Sequence, residues 1–259
     1  MKQLDMKPYQ PYKKMGQSCS LREIKDKKII WPMIDYNAPD NPDFKFRVIT
    51  RKDTEAVAEL WRASYPEVYG SVHEWILHPE EYEGRVAFAD NWAEHSISRP
   101  HAIMVGEDPQ TKKIAMSSIY TKWDQNLQIE ASFFAIHPDF RKGKISSHIW
   151  SSLASIYKWF EDSGAEYVTV FCETWQSITQ YIWFKRFGWK IAGIFPGNYT
   201  RWAGDKKEYR GCAVHFYRFL NGGEKYSTAP EEWDLLPEIK ELWNYLEKVN
   251  EQSSEEGFK

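Results

Sequence analysis

The segment between residues 127 and 172 constrains the fold more than any other part of the chain. Leu127 to Ile136 has the composition of a strand, a short basic turn follows, and apolar residues at helical spacing then predict a helix that ends near Gly164. Tyr167 to Cys172 is a nearly continuous apolar run, typical of a buried parallel strand. A strand, a helix and a second strand in this order form a crossover unit, which joins two parallel strands of one sheet and is almost always right-handed.

The flanking segments predict that this unit belongs to a mixed, mostly antiparallel sheet. Phe44 to Ile49 alternates like a half-buried strand, and a capped helix follows it. Two apolar runs joined by a turn precede the 127–136 strand, so an antiparallel meander is expected there. The runs are His101–Glu107 and Lys113–Tyr120; further strands are predicted at Lys190–Phe195 and Cys212–Phe219, joined by a polar loop, and further helices at Ser71–His78, Glu81–His95, Gln176–Phe187 and Glu231–Lys248.

The composition indicates a globular protein. The chain has 259 residues, among them 13 Trp, 15 Tyr and 14 Phe, and 27% of its residues are charged. A net charge of −3 argues against nucleic-acid binding by the whole chain. No apolar run approaches the roughly 18 residues of a membrane span and the N-terminus lacks the apolar segment of a signal peptide, so we expect a soluble, cytoplasmic protein without a membrane partner.

The chain divides into three parts by its patterning. Residues 1–43 are polar and little periodic, and we expect them to form an extension that packs on the main domain. Residues 44–220 contain the predicted sheet, and residues 221–259 contain an amphipathic helix and a frayed tail. The cysteines Cys19, Cys172 and Cys212 are widely spaced and form no Cys/His cluster, so neither a metal site nor a disulfide framework is expected.

The turn after Ile136 has the chemistry of an anion site. Arg141, Lys142 and Lys144 bring positive charge to the start of a predicted helix, where backbone N–H groups have no partner within the helix. Phosphate is the usual ligand of such a turn. A basic surface turn without a ligand is the alternative interpretation.

The predicted order of elements, together with this turn, resembles the GNAT superfamily of acyl-CoA-dependent N-acetyltransferases over residues 44–220. The resemblance implies an α/β (α+β) fold with a mixed, mostly antiparallel central sheet of about six or seven strands flanked by helices. This chain would add an N-terminal arm and an extra C-terminal helix. The resemblance also implies acetyl-CoA as a cosubstrate.

The basic turn is similar to the family's phosphate motif, in which an Arg or Gln is followed by two residues, a Gly, any residue, and a Gly or Ala. Lys144 and Ser146 stand where the family has glycine, and Gly143 lies one place early. The resemblance implies that the turn binds the CoA pyrophosphate, either with the Lys144 side chain turned outward or with the turn re-registered around Gly143. The six positions of the motif are Arg141, Lys142, Gly143, Lys144, Ile145 and Ser146.

The strand before the turn matches the family in two ways. Glu130 falls where the histone-acetyltransferase branch has a general base, six residues before the Ile that ends the strand. A carboxylate in a partly dry cleft can take the proton of an amine, which is mostly protonated at neutral pH. The alternative is a solvated Glu at a strand start. Phe134, Ala135 and Ile136 match the positions whose backbone binds the pantetheine arm as an added strand would.

A third match is the helix from Ser177 to Trp189, which is similar to the family's Asn-x-x-Ala-x-x-x-Tyr-x-x-x-Gly-Phe helix. Ser177 replaces the Asn that contacts the cofactor, and Phe184 replaces the Tyr that returns a proton to the CoA thiolate. A Phe cannot donate a proton, whereas Tyr181, three residues back, lies close to the same side of the helix. Tyr181 is therefore the candidate acid, with an aromatic packing role as the alternative.

These matches predict an N-acetyltransferase that moves an acetyl or short acyl group from acyl-CoA to a primary amine by direct attack in a ternary complex. The acceptor would be a small molecule or a peptide amine, and a homodimer is an arrangement that the sequence leaves open. A non-catalytic acyl-CoA-binding or interaction module is the alternative, because the motif lacks both glycines and the helix lacks its Tyr. Trp75, Trp92, Trp123 and Tyr199 are candidates for the lining of an acceptor cleft.

Overall fold

The computed structural model of the protein describes residues 18–23, 25–38, 41–141 and 155–253. Among them, nine strands form one sheet in the order β1-β2-β4-β5-β6-β7-β9-β8, with β3 paired to β4. Pairing is parallel between β3 and β4 and between β6 and β7, and antiparallel elsewhere. The strands are β1 (Asp35–Ala38), β2 (Asn41–Val48), β3 (Val86–Ala87), β4 (His101–Glu107), β5 (Ile114–Trp123), β6 (Gln128–Ile136), β7 (Tyr167–Glu173), β8 (Lys190–Gly204) and β9 (Lys207–Phe219).

The predicted fold class is confirmed: the sheet is mixed, mostly antiparallel and flanked by helices. Nine strands exceed the six or seven expected because β1 and β3 join the sheet. Residues 155–162 form the described part of α3, which with β6 and β7 completes the crossover unit. The other helices are α1 (Thr54–Ser64), α2 (Trp92–Ser98), α4 (Ser177–Tyr181), which continues as a π-helical turn over Ile182–Arg186, and α5 (Pro237–Asn250).

Helix α1 follows β2 as predicted and packs on the sheet at β5 and β6. The Thr50 backbone N–H donates to Asp53 Oδ2 over 2.8 Å, which fixes the turn that starts it. Val57, Leu60 and Trp61 lie on one face of the helix and are fully buried in the core. This packing holds the end of α1, and with it the loop that follows, against β5 and β6.

Two predictions of local structure were wrong. The expected helix over Glu81–His95 is instead β3 followed by α2, because Val86 and Ala87 are buried beside β4 and pair with it in parallel. The polar loop expected between residues 195 and 212 is part of a long β8–β9 hairpin whose tight turn has positive φ at Asp205 and Lys206. Aromatic and β-branched residues such as Tyr199 and Thr200 suit strands, and they outweighed the polar residues around them.

The segment before β2 contributes to the same core as the sheet. Ile29 and Trp31 are buried, and the Trp31 ring stacks on Trp159 with centroids 5.1 Å apart. The Lys122 ammonium group on β5 donates to the carbonyl oxygens of Ile29, Ser96 and Ile97 at 2.6, 2.9 and 3.0 Å. At the other end of the chain, the Asn250 side chain on α5 bonds the backbone of Ile191 on β8. The domain limits at residues 43/44 and 220/221 stay predictions.

None of the helices in the described ranges has the length and apolar composition that a membrane crossing requires.

Candidate active site

The cleft of the molecule opens where β6 and β7 part. The two strands pair in parallel only from Gln128–Ala131 on β6 with Tyr167–Val170 on β7. Beyond that point each strand keeps its other neighbour, since β6 pairs with β5 as far as Ile136 and β7 pairs with β9 as far as Glu173. Among the described residues, one edge of the second half of β6 therefore borders a cleft instead of a strand.

A β-bulge marks the point of divergence. Ile119 on β5 lies opposite Phe133 and Tyr120 lies opposite Ala131, so Ser132 is an extra residue on β6. A bulge increases the local twist and changes the direction of the side chains around it. Here it separates the paired half of β6 from the half that borders the cleft.

Two adjoining cavities occupy the cleft. The large cavity, of about 640 Å³, reaches from Glu130 and Phe133 on β6 to Asn198 and Arg210 on the β8–β9 hairpin. The small cavity, of about 280 Å³, lies beside the end of β6 and Arg141. Their common wall is formed by Tyr65, Phe134, Glu173, Gln176, Thr179 and Arg201.

The small cavity brings together four of the five described residues that were predicted to bind the cofactor. Phe134, Ala135, Ile136 and Arg141 all line it. Arg141 Nε donates to the Ile136 carbonyl oxygen over 3.0 Å, which anchors the side chain while it stays exposed to solvent. Lys142, Gly143, Lys144, Ile145 and Ser146 lie outside the described residues, so their part in the site stays a prediction.

Glu130 lines the large cavity beside the bulge. Burial raises the pKa of its carboxyl group above the ordinary value, and a hydrogen bond from the Ser132 side chain opposes part of this increase in the pKa. Among the described residues, no Lys, Arg or His forms an ion pair with Glu130. A carboxylate with a raised pKa and no cationic partner in a cavity is suited to accept a proton.

Hydrogen bonds connect Ser132, which lines the large cavity beside Glu130, to β5 and through it to β4. Ser132 Oγ lies 2.8 Å from Thr121 Oγ1, which lies 3.0 Å from His101 Nδ1. His101, Thr121 and Glu130 are direct cross-strand neighbours on β4, β5 and β6, so the register places their side chains on one face of the sheet. Burial lowers the pKa of His101 to about 4, with Arg85 as a smaller cause, and the imidazole is therefore neutral at neutral pH.

A buried ion pair that the sequence analysis did not predict lies between the two cavities. Arg201 Nη2 is 2.9 Å from Glu173 Oε1, and both side chains are less than a tenth exposed. The Tyr65 hydroxyl group donates to the same carboxylate oxygen over 3.3 Å, and the Tyr199 ring centroid lies 3.8 Å from the Arg201 guanidinium carbon. Burial, and secondarily Glu173, raise the pKa of Tyr65 and Tyr199, so both phenols are protonated at neutral pH.

Helix α4 presents other residues to the cleft than those predicted. Ser177 is exposed in its first turn, and Tyr181 is half exposed with the Arg186 guanidinium carbon 5.8 Å from its ring centroid. Neither lines the large or the small cavity, whereas Thr179 and Trp183 line the large one. The roles of Ser177 and Tyr181 stay predictions that the helix orientation does not favour.

The aromatic candidates for the acceptor cleft separate into two groups. Trp123 and Tyr199 line the large cavity. Trp75 stacks on His101 with ring centroids 4.7 Å apart, so it supports the wall from behind, and Trp92 packs against the core. In the described part of the chain no three His, Cys, Asp or Glu side chains come together as a metal site.

The chain is similar in fold to several solved structures of acetyltransferases. An acetyltransferase of the GNAT family from Streptococcus pneumoniae is 17% identical with a TM-score of 0.49, and the match covers 68% of this chain and 99% of that one. The ribosomal-protein-S5-alanine acetyltransferase from Vibrio fischeri is 10% identical with a TM-score of 0.49, over 73% of this chain and 97% of that one. A GNAT family acetyltransferase from Elizabethkingia anophelis with acetyl-CoA bound is 12% identical with a TM-score of 0.45, over 69% and 99% of the two chains.

At these identities and TM-scores the likeness concerns the fold alone. No family model and no curated protein sequence matches the chain.

Proposed function

We propose that the protein is an acyl-CoA-dependent N-acyltransferase that moves an acetyl or short acyl group to a primary amine in a ternary complex. The observation that carries the proposal is Glu130, a half-buried carboxylate with a raised pKa at the point where β6 parts from β7. The proposal is further supported by the open edge of β6 on one side of Glu130 and by a cavity large enough for an acceptor on the other.

The acyl donor would enter through the small cavity. Its pantetheine arm would pair with the backbone of Phe134, Ala135 and Ile136 along the open edge of β6, as an added strand does. The pyrophosphate would lie at Arg141 and the turn from Lys142 to Ser146. N–H groups of the same strand edge would then polarise the thioester carbonyl group at the common wall of the two cavities.

The amine would enter through the large cavity and lose its proton to Glu130. Only the neutral amine has the lone pair that attacks the thioester carbon, and an alkylamine with a pKa near about 10.4 is mostly protonated at neutral pH. Collapse of the tetrahedral intermediate breaks the C–S bond and releases the thiolate, which takes a proton. Tyr65, at the common wall, is favoured for this step by its position and its protonated phenol; Tyr181 is the rival that the sequence motif indicates.

A steady-state assay of thiol release tests the proposal. Wild-type protein is mixed with acetyl-CoA and a panel of primary amines, and Glu130→Gln, which keeps the shape of the side chain but cannot accept the proton, is compared with Glu130→Asp. We expect Glu130→Gln to lower kcat by about 100-fold or more, the usual contribution of a general base, and Glu130→Asp to retain more activity.

The two parts of the proposal fail separately. Full turnover by Glu130→Gln would remove the base assignment and leave the enzyme. Binding of CoA by calorimetry without turnover of any amine by wild type would favour the acyl-CoA-binding module, which is the alternative function. Absence of both binding and turnover would contradict both functions.

A further inference from the structure

The charges around the large cavity leave one carboxylate free for a ligand. The carboxylates among its described lining residues are Glu130 and Glu173, and Glu173 is neutralised by Arg201. Among the described lining residues the remaining cation is Arg210, which lies on the hairpin and is exposed. Two histidines, His73 and His101, also line the cavity, and burial lowers the pKa of each to about 4, so they add no charge at neutral pH.

The rest of the wall is largely aromatic. Phe133 is held in place by edge contacts to Trp61, Tyr65 and His73, with ring centroids 6.0, 6.0 and 4.8 Å apart. Aromatic rings also reach the cavity from other strands and from α4, so a flat apolar group would meet ring surfaces on several sides. The aromatic residues that line the cavity include Tyr65, Trp123, Phe133, Phe171, Trp183 and Tyr199.

Trp123 lies on the acceptor side of Glu130. Thr121 is the cross-strand partner of Glu130, and Trp123 follows two residues later on the same face of β5, opposite Gln128. Trp123 and Glu130 are thus diagonal neighbours, roughly 7–8 Å apart between backbones. The direction from Glu130 to Trp123 points away from Phe134–Ile136, where the acyl donor would lie. The Trp123 ring is 42% exposed, so it has apolar surface left for a ligand to cover.

We infer that the acceptor is a monoamine carried on a flat aromatic body, with its ammonium group at Glu130 and its ring against Trp123. This inference rests on the proposed function and gives that function its substrate class. A cationic amine beside aromatic rings also gains from the attraction between a cation and the ring face.

Polyamines and other polycations fit this cavity poorly. A second or third ammonium group would find no free carboxylate among the described lining residues and would face the guanidinium group of Arg210. Like charges in a partly dry cavity repel more strongly than in water. The cavity thus selects for one positive charge and for apolar area.

The experiment compares 2-phenylethylamine, ethylamine and spermidine as acceptors for acetyl-CoA. Burial of a phenyl ring is expected to give 2-phenylethylamine a kcat/KM about 30-fold above that of ethylamine. Spermidine, despite its greater length, is expected to have the lowest kcat/KM of the three. Trp123→Ala should lower kcat/KM for 2-phenylethylamine about tenfold and leave ethylamine within about twofold. Tyr245→Ala is the control: it removes an exposed ring from α5, which contributes no described residue to the cavity lining, and it should change neither value.

Preference for spermidine, or an equal effect of Trp123→Ala on 2-phenylethylamine and ethylamine, would overturn the inference while leaving the transferase function intact. The failure of the function is distinguished by calorimetry with 2-phenylethylamine in the absence of acyl-CoA. Binding to wild type that weakens about tenfold in Glu130→Gln and in Trp123→Ala supports the acceptor class even if no amine is acetylated. Absence of binding by 2-phenylethylamine together with absence of its acetylation overturns it.

Discussion

Replacement of Arg201 by Met is expected to destabilise the fold strongly, because it leaves Glu173 charged and buried. The guanidinium group contacts one carboxylate oxygen through both Nε, at 3.0 Å, and Nη2, at 2.9 Å. At the latter distance the attraction of two unit charges is about 6 kcal/mol for an effective dielectric constant near 20. Desolvation of both groups offsets much of that attraction, but only while the pair is intact.

Removing one partner of such a pair costs about 3–5 kcal/mol, and we expect Arg201→Met to fall in this range. The Tyr65 hydroxyl group, at 3.3 Å, remains as a donor to Glu173, but a neutral donor at that distance replaces little of the loss. The double variant Glu173→Gln/Arg201→Met removes both charges and is expected to be more stable than Arg201→Met alone.

Urea denaturation followed by tryptophan fluorescence gives the free energies of unfolding for the wild type, both single variants and the double variant. Lys158→Met is the control, since the Lys158–Asp162 pair is exposed and spans one helical turn; its loss is expected to cost about 0.3–0.5 kcal/mol. An Arg201→Met variant within about 1 kcal/mol of wild type, or a double variant as unstable as the two losses added, would refute the reasoning.

Three further changes test the surroundings of the site. Ser132→Ala removes a donor that lowers the pKa of Glu130, so the acid limb of the kcat/KM profile should move to higher pH; an unmoved limb would separate Ser132 from the base. Tyr65→Phe should lower kcat about tenfold or more if Tyr65 protonates the thiolate, and a comparable loss in Tyr181→Phe alone would assign that step to Tyr181. Lys122→Met should lower the free energy of unfolding by about 2 kcal/mol at neutral pH, because the ammonium group bonds three carbonyl oxygens. Burial lowers the pKa of Lys122 from 10.5 to about 8, so between these pH values the folded state binds fewer protons than the unfolded state. The stability of the wild type should therefore rise with pH relative to that of Lys122→Met. Urea midpoints measured below pH 8 and above pH 10.5 give the difference.

The crossover unit and the strands around it could be predicted because their signals are local. The continuous apolar run of β7 and the alternation of β2 each reflect burial within a few residues of sequence. The position of Glu130 near the start of β6 could also be predicted, because the bounds of that strand are evident from the local sequence. The outer half of the β8–β9 hairpin was missed because it buries few side chains. Its strands are held there by pairing with each other, which hydrophobic patterning does not detect.

The ion pair between the cavities depends on information that the local sequence does not contain. Glu173 and Arg201 meet only because β9 lies between β7 and β8, with Glu173 opposite Ala213 and Arg201 opposite Tyr209. A carboxylate directly after the apolar run of β7 was a signal that could have indicated a buried partner. The bulge at Ser132 is likewise a property of the pairing with β5, and the sequence of β6 alone does not indicate that Ser132 is an extra residue.

The most direct test of the account is the identification of the product made from acetyl-CoA and 2-phenylethylamine. We predict that mass spectrometry finds the amine with one added acetyl group, in an amount equal to the free thiol released, and that Glu130→Gln forms it about 100-fold more slowly. Thiol release without an acetylated amine, or equal rates for wild type and Glu130→Gln, would contradict transfer to an amine with Glu130 as the base.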